Sequence, residues 1–153
     1  MIQRIQTLFL LGVVICIAAV IVFPIWEKTD TSMGQKLALD AFYWQEFQLD
    51  ESSQDSWSLQ ISKPTYYLAG LGAVICLVAL FSIFQFKNRT TQIKLGALNA
   101  FLMMAFIAIA TYLIYQGESK IGLDARGMFK PGYFLPLAGM IFNSLAIRLR
   151  RKR

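Results

Sequence analysis

Four long apolar runs constrain the fold of this chain more than any other feature. They cover residues 8–26, 66–86, 95–115 and 131–147, and none of them contains Asp, Glu, Lys or Arg. A helix needs about 20 apolar residues to cross a bilayer, and the fourth run only just reaches the lower limit of about 17. Hydrophobic residues make up 56% of the chain, above the roughly 45–50% of soluble domains. The core of a single soluble domain would not bury all of them. The sequence predicts an all-α membrane protein with four transmembrane helices in a single domain, residues 1–153.

The first run is expected to remain in the protein as a helix. Arg4 precedes it, as in a signal peptide, but its apolar stretch is longer than the usual 7–15 residues and no A-x-A site follows.

Charge in the connections predicts the orientation of these helices. Loop 27–65 holds seven acidic and three basic residues, whereas loop 87–94 and the tail 148–153 hold only basic ones. Loop 116–132 is mixed. Basic residues in short loops mark the cytoplasmic side, so both termini and loop 87–94 are expected in the cytoplasm and the other two loops outside, as in a multi-pass protein of the cell inner membrane.

The basic tail has two readings that the sequence leaves open. It is a topology anchor, or it contacts anionic lipid or ribosomal RNA, since clustered basic residues next to a span attract anionic headgroups. Its residues are Arg148, Arg150, Arg151, Lys152 and Arg153.

The stretch LLGVVICIAAV at 10–20 has a near-copy, GLGAVICLVAL, at 70–80. Gly12 and Cys16 are four residues apart, as are Gly72 and Cys76, and small residues at this spacing let helices approach closely in lipid. We predict that the first two spans pack on each other through these faces. Redox or metal chemistry at the two cysteines is the alternative, but the chain has no histidine and two thiols fall short of the four ligands of a structural zinc site.

Polar residues within the spans predict a cluster at the cytoplasmic ends of spans two to four. Asn99 and Asn143 lie about one helical turn from those ends, and a buried amide without a partner is costly. The cluster is expected to contain Asn99, Asn143, Ser82, Gln85 and Ser144. It is a helix clamp or, alternatively, a polar site for a lipid headgroup or a small ligand.

Loop 27–65 shows the alternation of apolar and polar residues that is typical of strands. KLALDA at 36–41 and SWSLQIS at 56–62 predict a β-hairpin. A lone hairpin is marginally stable, so it either caps the helix ends or exposes an aromatic patch to a partner. The candidate contact residues are Phe42, Tyr43, Trp44 and Trp57.

Two smaller patterns complete the outer side. Six aromatic residues are expected in a belt at the outer interface: Trp26, Tyr66, Tyr67, Tyr112, Tyr115 and Tyr133. Four glycines recur every five residues and are predicted to form turns: Gly117, Gly122, Gly127 and Gly132.

Both ends of the chain resemble a known family. The opening MIQRIQTLFLL, FPIW at 23–26 and GYFLPLAGMIFNSLAIRLRRKR near the end are similar to the four-span membrane family of Bacteroidota catalogued as domain of unknown function 4293. The resemblance covers the whole chain in span number and loop lengths. It implies an inner-membrane location and supplies no activity.

The sequence favours a non-enzymatic accessory or assembly subunit of a larger inner-membrane complex. A small transporter or channel is the alternative, although ionisable residues that mark ion paths are missing from the four runs. No catalytic arrangement, cofactor motif or metal site is recognisable. The expected partners are membrane lipids and another inner-membrane protein or complex, without specific nucleic acid.

Overall fold

The computed structural model describes residues 2–49, 56–85, 88–120 and 127–151. Within these residues the chain forms four helices, α1 (Ile2–Val22), α2 (Tyr66–Phe84), α3 (Arg89–Glu118) and α4 (Pro131–Arg151). Each contains a window long and apolar enough to cross a membrane. Only 28% of each window is buried inside the chain, so most of these apolar residues face outward, as lipid-facing helices require.

The helix boundaries differ from the predicted spans at two places. The first helix ends at Val22 rather than at residue 26, because the residue before Pro24 is biased away from helical backbone. The third helix begins at Arg89, so most of the predicted loop 87–94 is helical and the α2–α3 connection is short.

Five antiparallel strands form one sheet at one end of the helices. The strands are β1 (Trp26–Asp30), β2 (Gln35–Leu39), β3 (Tyr43–Leu49), β4 (Trp57–Pro64) and β5 (Gly127–Phe129), in the order β4-β3-β2-β1-β5. The predicted two-stranded hairpin was therefore wrong, because the structure has a five-stranded sheet. Its two segments are present as β2 and β4, but β3 lies between them, so they do not pair with each other.

The fifth strand links the two long connections. β5 lies between α3 and α4, and its Phe129 pairs with Trp26 of β1. Because β1 to β4 lie between α1 and α2, this pairing places both connections at the same end of the four helices. We call this the sheet end, and the end with the short α2–α3 connection the opposite end.

A stripe of small residues lets α4 approach its neighbours. Its buried positions are Gly132, Pro136, Gly139, Asn143 and Ala146, at the spacing of one helix face. α1 and α3 present larger apolar residues to the same core, among them Val13, Ile17, Met103 and Phe106. The bundle is therefore close-packed on the face where α4 carries small side chains.

The predicted turn glycines serve other purposes. Gly117 lies within α3, Gly127 in β5 and Gly132 in the first turn of α4, whereas Gly122 lies outside the described residues. A Cβ at Gly117 would lie 2.9 Å from the Trp26 ring, a distance that real Cβ atoms do not show. These glycines make room for close packing, and the turn interpretation was wrong for the three that are described.

Candidate functional site

Two tryptophans attach the sheet to the end of α3. Trp26, Leu39 and Trp44 lie opposite one another on three neighbouring strands, so their side chains share one face of the sheet. All three are buried, and the rings of Trp26 and Trp44 lie beside Gly117 of α3. Trp26 is thus a core residue of the sheet, and its expected place in an interfacial aromatic belt was wrong.

An ion pair between buried Lys28 and Glu118, whose side chain is 42% exposed, joins the same two elements. The Lys28 side chain is only 2% exposed, and its Nζ donates to Glu118 Oε2 at 2.7 Å. An ammonium group so far from water needs an anionic partner, which the last residue of α3 supplies. Pairing of Lys28 with Glu118 fixes the sheet against α3 at one register.

A second ion-pair group joins β1, β2 and the start of α4. Glu27 pairs with Lys36 at 2.8 Å and with Lys130 at 3.1 Å. Hydrogen bonding from Lys36, with a smaller contribution from Lys130, holds the pKa of Glu27 below its usual value although partial burial opposes the shift. Burial, together with the charge of Glu27, raises the pKa of Asp40. The network connects two consecutive strands to Lys130, which directly precedes α4 and is distant in sequence.

The predicted aromatic contact residues divide between surface and core. Phe42 and Tyr43 are exposed, and the Tyr43 hydroxyl lies 2.7 Å from that of Tyr66. Trp57 is partly buried at the start of β4. Trp44 is buried because its position in the sheet turns it toward α3, so its assignment to an exposed patch was wrong.

β4 forms one edge of the sheet and is largely exposed. It pairs with β3 on one side, and among the described residues no strand pairs with its other side. Leu59 and Ile61 are 52% and 44% exposed, although both are apolar. An edge strand with free backbone groups and exposed apolar side chains can accept another extended chain.

At the opposite end, polar side chains lie between α2, α3 and α4. Asn143 of α4 donates from Nδ2 to the Gly96 carbonyl oxygen of α3 at 2.8 Å. Gln92 of α3 donates from Nε2 to the Ser82 carbonyl oxygen of α2 at 2.9 Å. Both donor side chains are buried, so each bond joins two helices where water is excluded. We call Ser82, Gln92, Asn99 and Asn143 the polar cluster.

Asn99 is the least satisfied member of the polar cluster, although Asn143 Oδ1 also lacks a hydrogen-bond partner among the described residues. Asn99 is 1% exposed, and neither its Oδ1 nor its Nδ2 has a hydrogen-bond partner among the described residues. Asn143 donates to helix backbone, and no bond between the Asn99 and Asn143 side chains is among the described hydrogen bonds.

Two residues predicted for the polar cluster make no side-chain bond between helices among the described bonds. Ser144 is exposed, since it follows Asn143 directly and so points away from the helix interface. Gln85 is partly buried at the end of α2, where its backbone N–H donates to the Phe81 carbonyl oxygen.

Gln92 is a member of the polar cluster that the sequence does not predict, because it lies in the stretch 87–94, where the sequence predicts a loop. Its position three residues before the third apolar run is the sequence signal that could have found it.

The Gly12 and Cys16 face of α1 packs on α4. A Cβ at Gly12 would lie 3.3 Å from the ring of Phe142, and Cys16 Cβ faces Gly139. The prediction that this face packs on α2 was wrong, because α4 carries the small residues that allow the closer approach.

The Gly72 and Cys76 face of α2 contacts α1, as expected for it. A Cβ at Gly72 would lie 3.6 Å from Ile17, and Cys76 Sγ lies 3.9 Å from the Val14 carbonyl oxygen. Both thiols are free.

Comparison with known proteins supplies a family. The model of one family, described as a domain of unknown function, DUF4293, matches residues 2–152. The chain belongs to the DUF4293 family. Comparison with curated proteins returned no match. Membership in DUF4293 together with the four apolar helices makes this a multi-pass membrane protein.

The remaining predicted residues of this DUF4293 chain lie at its end. Helix α4 continues to Arg151, and Arg148 is exposed on it. Arg150 and Arg151 belong to the same helix, whereas Lys152 and Arg153 lie outside the described residues. Within the described part of the chain, no group of three His, Cys, Asp or Glu side chains is placed to hold a metal ion.

Proposed function

We propose that this DUF4293 protein is a non-enzymatic accessory or assembly subunit of a larger complex in the cell inner membrane. The observation that carries the proposal is the β4 edge, eight residues long, with Leu59 and Ile61 exposed. Apolar side chains beside free backbone groups cost solvation energy when no partner covers them. An extended segment of a partner subunit, added as a sixth strand, would pair those backbone groups.

The proposed orientation places the sheet outside the cytoplasm. Both strand-bearing connections are at the sheet end, and the acid-rich loop 27–65 is one of them. The other end contains loop 87–94 and the tail, and all of their charged residues are basic. The positive-inside rule therefore assigns that end to the cytoplasm. The partner therefore meets the protein on its extracytoplasmic side.

Reporter fusions test this orientation. A reporter active only in the periplasm should work when it is inserted near Ser53 and fail when it is fused after Arg153. The reverse result would overturn the assignment of the sheet to the outside.

Co-purification tests the accessory role with a matched pair of substitutions. We expect the wild-type protein, extracted in mild detergent, to retain a partner at fixed stoichiometry in mass spectrometry. Ile61→Lys should release the partner, because it places a charge on the docking edge. Met33→Lys should retain it, since Met33 is also exposed but lies in the β1–β2 turn.

Two results would contradict the proposal. One is a wild-type monomer without a stoichiometric partner. The other is a partner that Ile61→Lys retains as well as Met33→Lys does. A second copy of the chain as the retained species would replace the accessory role with self-association through β4.

A further inference from the structure

A cleft at the sheet end lies beside the last residues of β4 and far from the polar cluster. It opens where β3 and β4 meet the ends of α2 and α3, and it has a volume of about 190 Å³. A single buried water needs only about 10–15 Å³ measured in this way, so the cleft has room for a group of several atoms. Trp44 and Leu113 supply apolar wall, and Lys63, Lys120 and Gln116 supply polar groups.

Two lysines converge on this cleft from different elements. Nζ of Lys120, which follows α3, lies 4.6 Å from the centre of the Trp44 ring, and Nζ of Lys63 in β4 lies 5.9 Å from it. Lys63 is there because it lies opposite Trp44 in the sheet register. Two ammonium groups close to one aromatic ring add their positive charge to the same cleft.

The protein only partly neutralises this charge. Among the described residues, Glu46 is the carboxylate in ion-pair range of either ammonium, and it lies 3.9 Å from Lys120 Nζ. That separation is too long for a hydrogen bond, and Glu46 Oε2 is buried without a hydrogen-bond partner in the described part of the chain. Among the described residues, two ammonium groups against one carboxylate give the cleft a net charge of +1.

The beginning of α2 adds to the positive potential. Thr65 and Tyr67 line the cleft, and α2 begins between them at Tyr66. The Thr65 hydroxyl donates to the Asp40 carbonyl oxygen at 3.3 Å and does not cap the first-turn N–H groups. The N-terminus of a helix of this length attracts anions through its dipole and its free N–H groups.

We propose that this cleft binds a phosphate-bearing anion, and that the headgroup of an anionic phospholipid supplies it. The level of the cleft favours a lipid over free phosphate. Tyr67 is in the first turn of α2 and Gln116 in the last turn of α3, so the cleft lies where two spans end and headgroups begin. Leu113, one turn deeper on α3, continues the wall toward the acyl chains.

The test measures the stability of the purified full-length protein in detergent with three probes. They are short-chain phosphatidylglycerol, phosphatidylcholine with the same chains, and inorganic phosphate at the same concentration. We expect phosphatidylglycerol to raise the melting temperature and the other two to have little effect, because ligand binding to the folded state stabilises it. Native mass spectrometry should show one retained phosphatidylglycerol.

Single substitutions identify the site. Lys120→Gln and Lys63→Gln should each weaken the phosphatidylglycerol effect by about tenfold in concentration, which is about 1.4 kcal/mol. Lys94→Gln removes the same charge from an exposed position at the opposite end and should leave the effect unchanged. If one cleft variant fails to fold, the other still decides the question.

Three results would overturn the proposal. A phosphatidylglycerol effect as strong in both cleft variants as in the wild type would show that the lysines do not hold the ligand. An equal effect of phosphatidylcholine would remove the requirement for net charge. An equal effect of inorganic phosphate would exclude the lipid as the source of the anion.

Discussion

Gly132→Ala is the substitution whose effect the structure specifies best. A Cβ at this position would lie 2.6 Å from the carbonyl oxygens of both Phe23 and Pro24. Real Cβ atoms essentially never come closer than 3.0 Å to another heavy atom. Both contacts are backbone, so no side-chain rotation relieves them. The connection between α1 and β1 must move away from α4 instead.

That movement also disturbs two hydrogen bonds. The Gly132 N–H donates to the Pro24 carbonyl oxygen at 3.0 Å, and the Lys130 N–H donates to that of Ile25 at 3.0 Å. Overpacking of this kind costs about 1–3 kcal/mol, and a weakened hydrogen bond adds about 1 kcal/mol. The better helix propensity of alanine returns at most about 1 kcal/mol. The expected net loss is about 1–3 kcal/mol in the free energy of unfolding.

Gly70→Ala is the matched control. Gly70 lies in α2, and a Cβ there would meet no described atom within 4 Å. Helix propensity then acts without opposition, so the variant should be as stable as the wild type or more stable by up to about 1 kcal/mol. Both variants make the same chemical change within a helix, and the structure predicts opposite signs.

Unfolding in mixed micelles by titration with a denaturing detergent, followed by tryptophan fluorescence, measures the difference. The reasoning is refuted if Gly132→Ala is as stable as the wild type. It is also refuted if the two alanine variants lose stability equally, because the contact with Phe23 and Pro24 would then have no role.

Three further predictions use the same unfolding assay. Asn143→Leu should lose about 0.6–1.7 kcal/mol, the usual range for a hydrogen bond between spans, and its effect should add to that of Asn99→Leu; a coupling energy well above the error would show that the two amides pair. Because the pKa of Glu27 is lowered in the folded protein, its stabilising effect is present above its ordinary pKa of 4.5 and is lost as the pH falls through the lower folded value. Glu27→Gln should therefore lose less stability than the wild type on acidification. Identical stability profiles at acid pH would contradict the role of the ion pairs. Replacing Cys16 and Cys76 together by alanine should change stability by no more than about 1 kcal/mol, since each acts as a small apolar residue; loss of a bound metal or of a redox-dependent gel shift would show chemistry at the thiols.

The local pattern of the sequence was sufficient to predict the helices and strands whose formation depends on a single segment. The four apolar runs gave the helices because hydropathy over about 20 residues is a property of the run itself. The alternation in KLALDA and SWSLQIS gave β2 and β4 for the same reason. Asn99 and Asn143 could be placed in a buried cluster because a helix fixes the depth of each residue from its position.

Tertiary structure decided everything that depends on which segments meet. Three residues of β5 carry no usable pattern, and their pairing with β1 across about a hundred residues completes the sheet. That pairing buries Trp26, which the sequence placed at an interface, and it requires glycine at 117 and 127 beneath the ring. The partner of Asn143 is the backbone oxygen of Gly96. Every residue type has such an oxygen, so the residue type at position 96 could not predict this bond. Sequence periodicity records which face of a segment is buried, whereas the neighbour on that face is set by long-range packing.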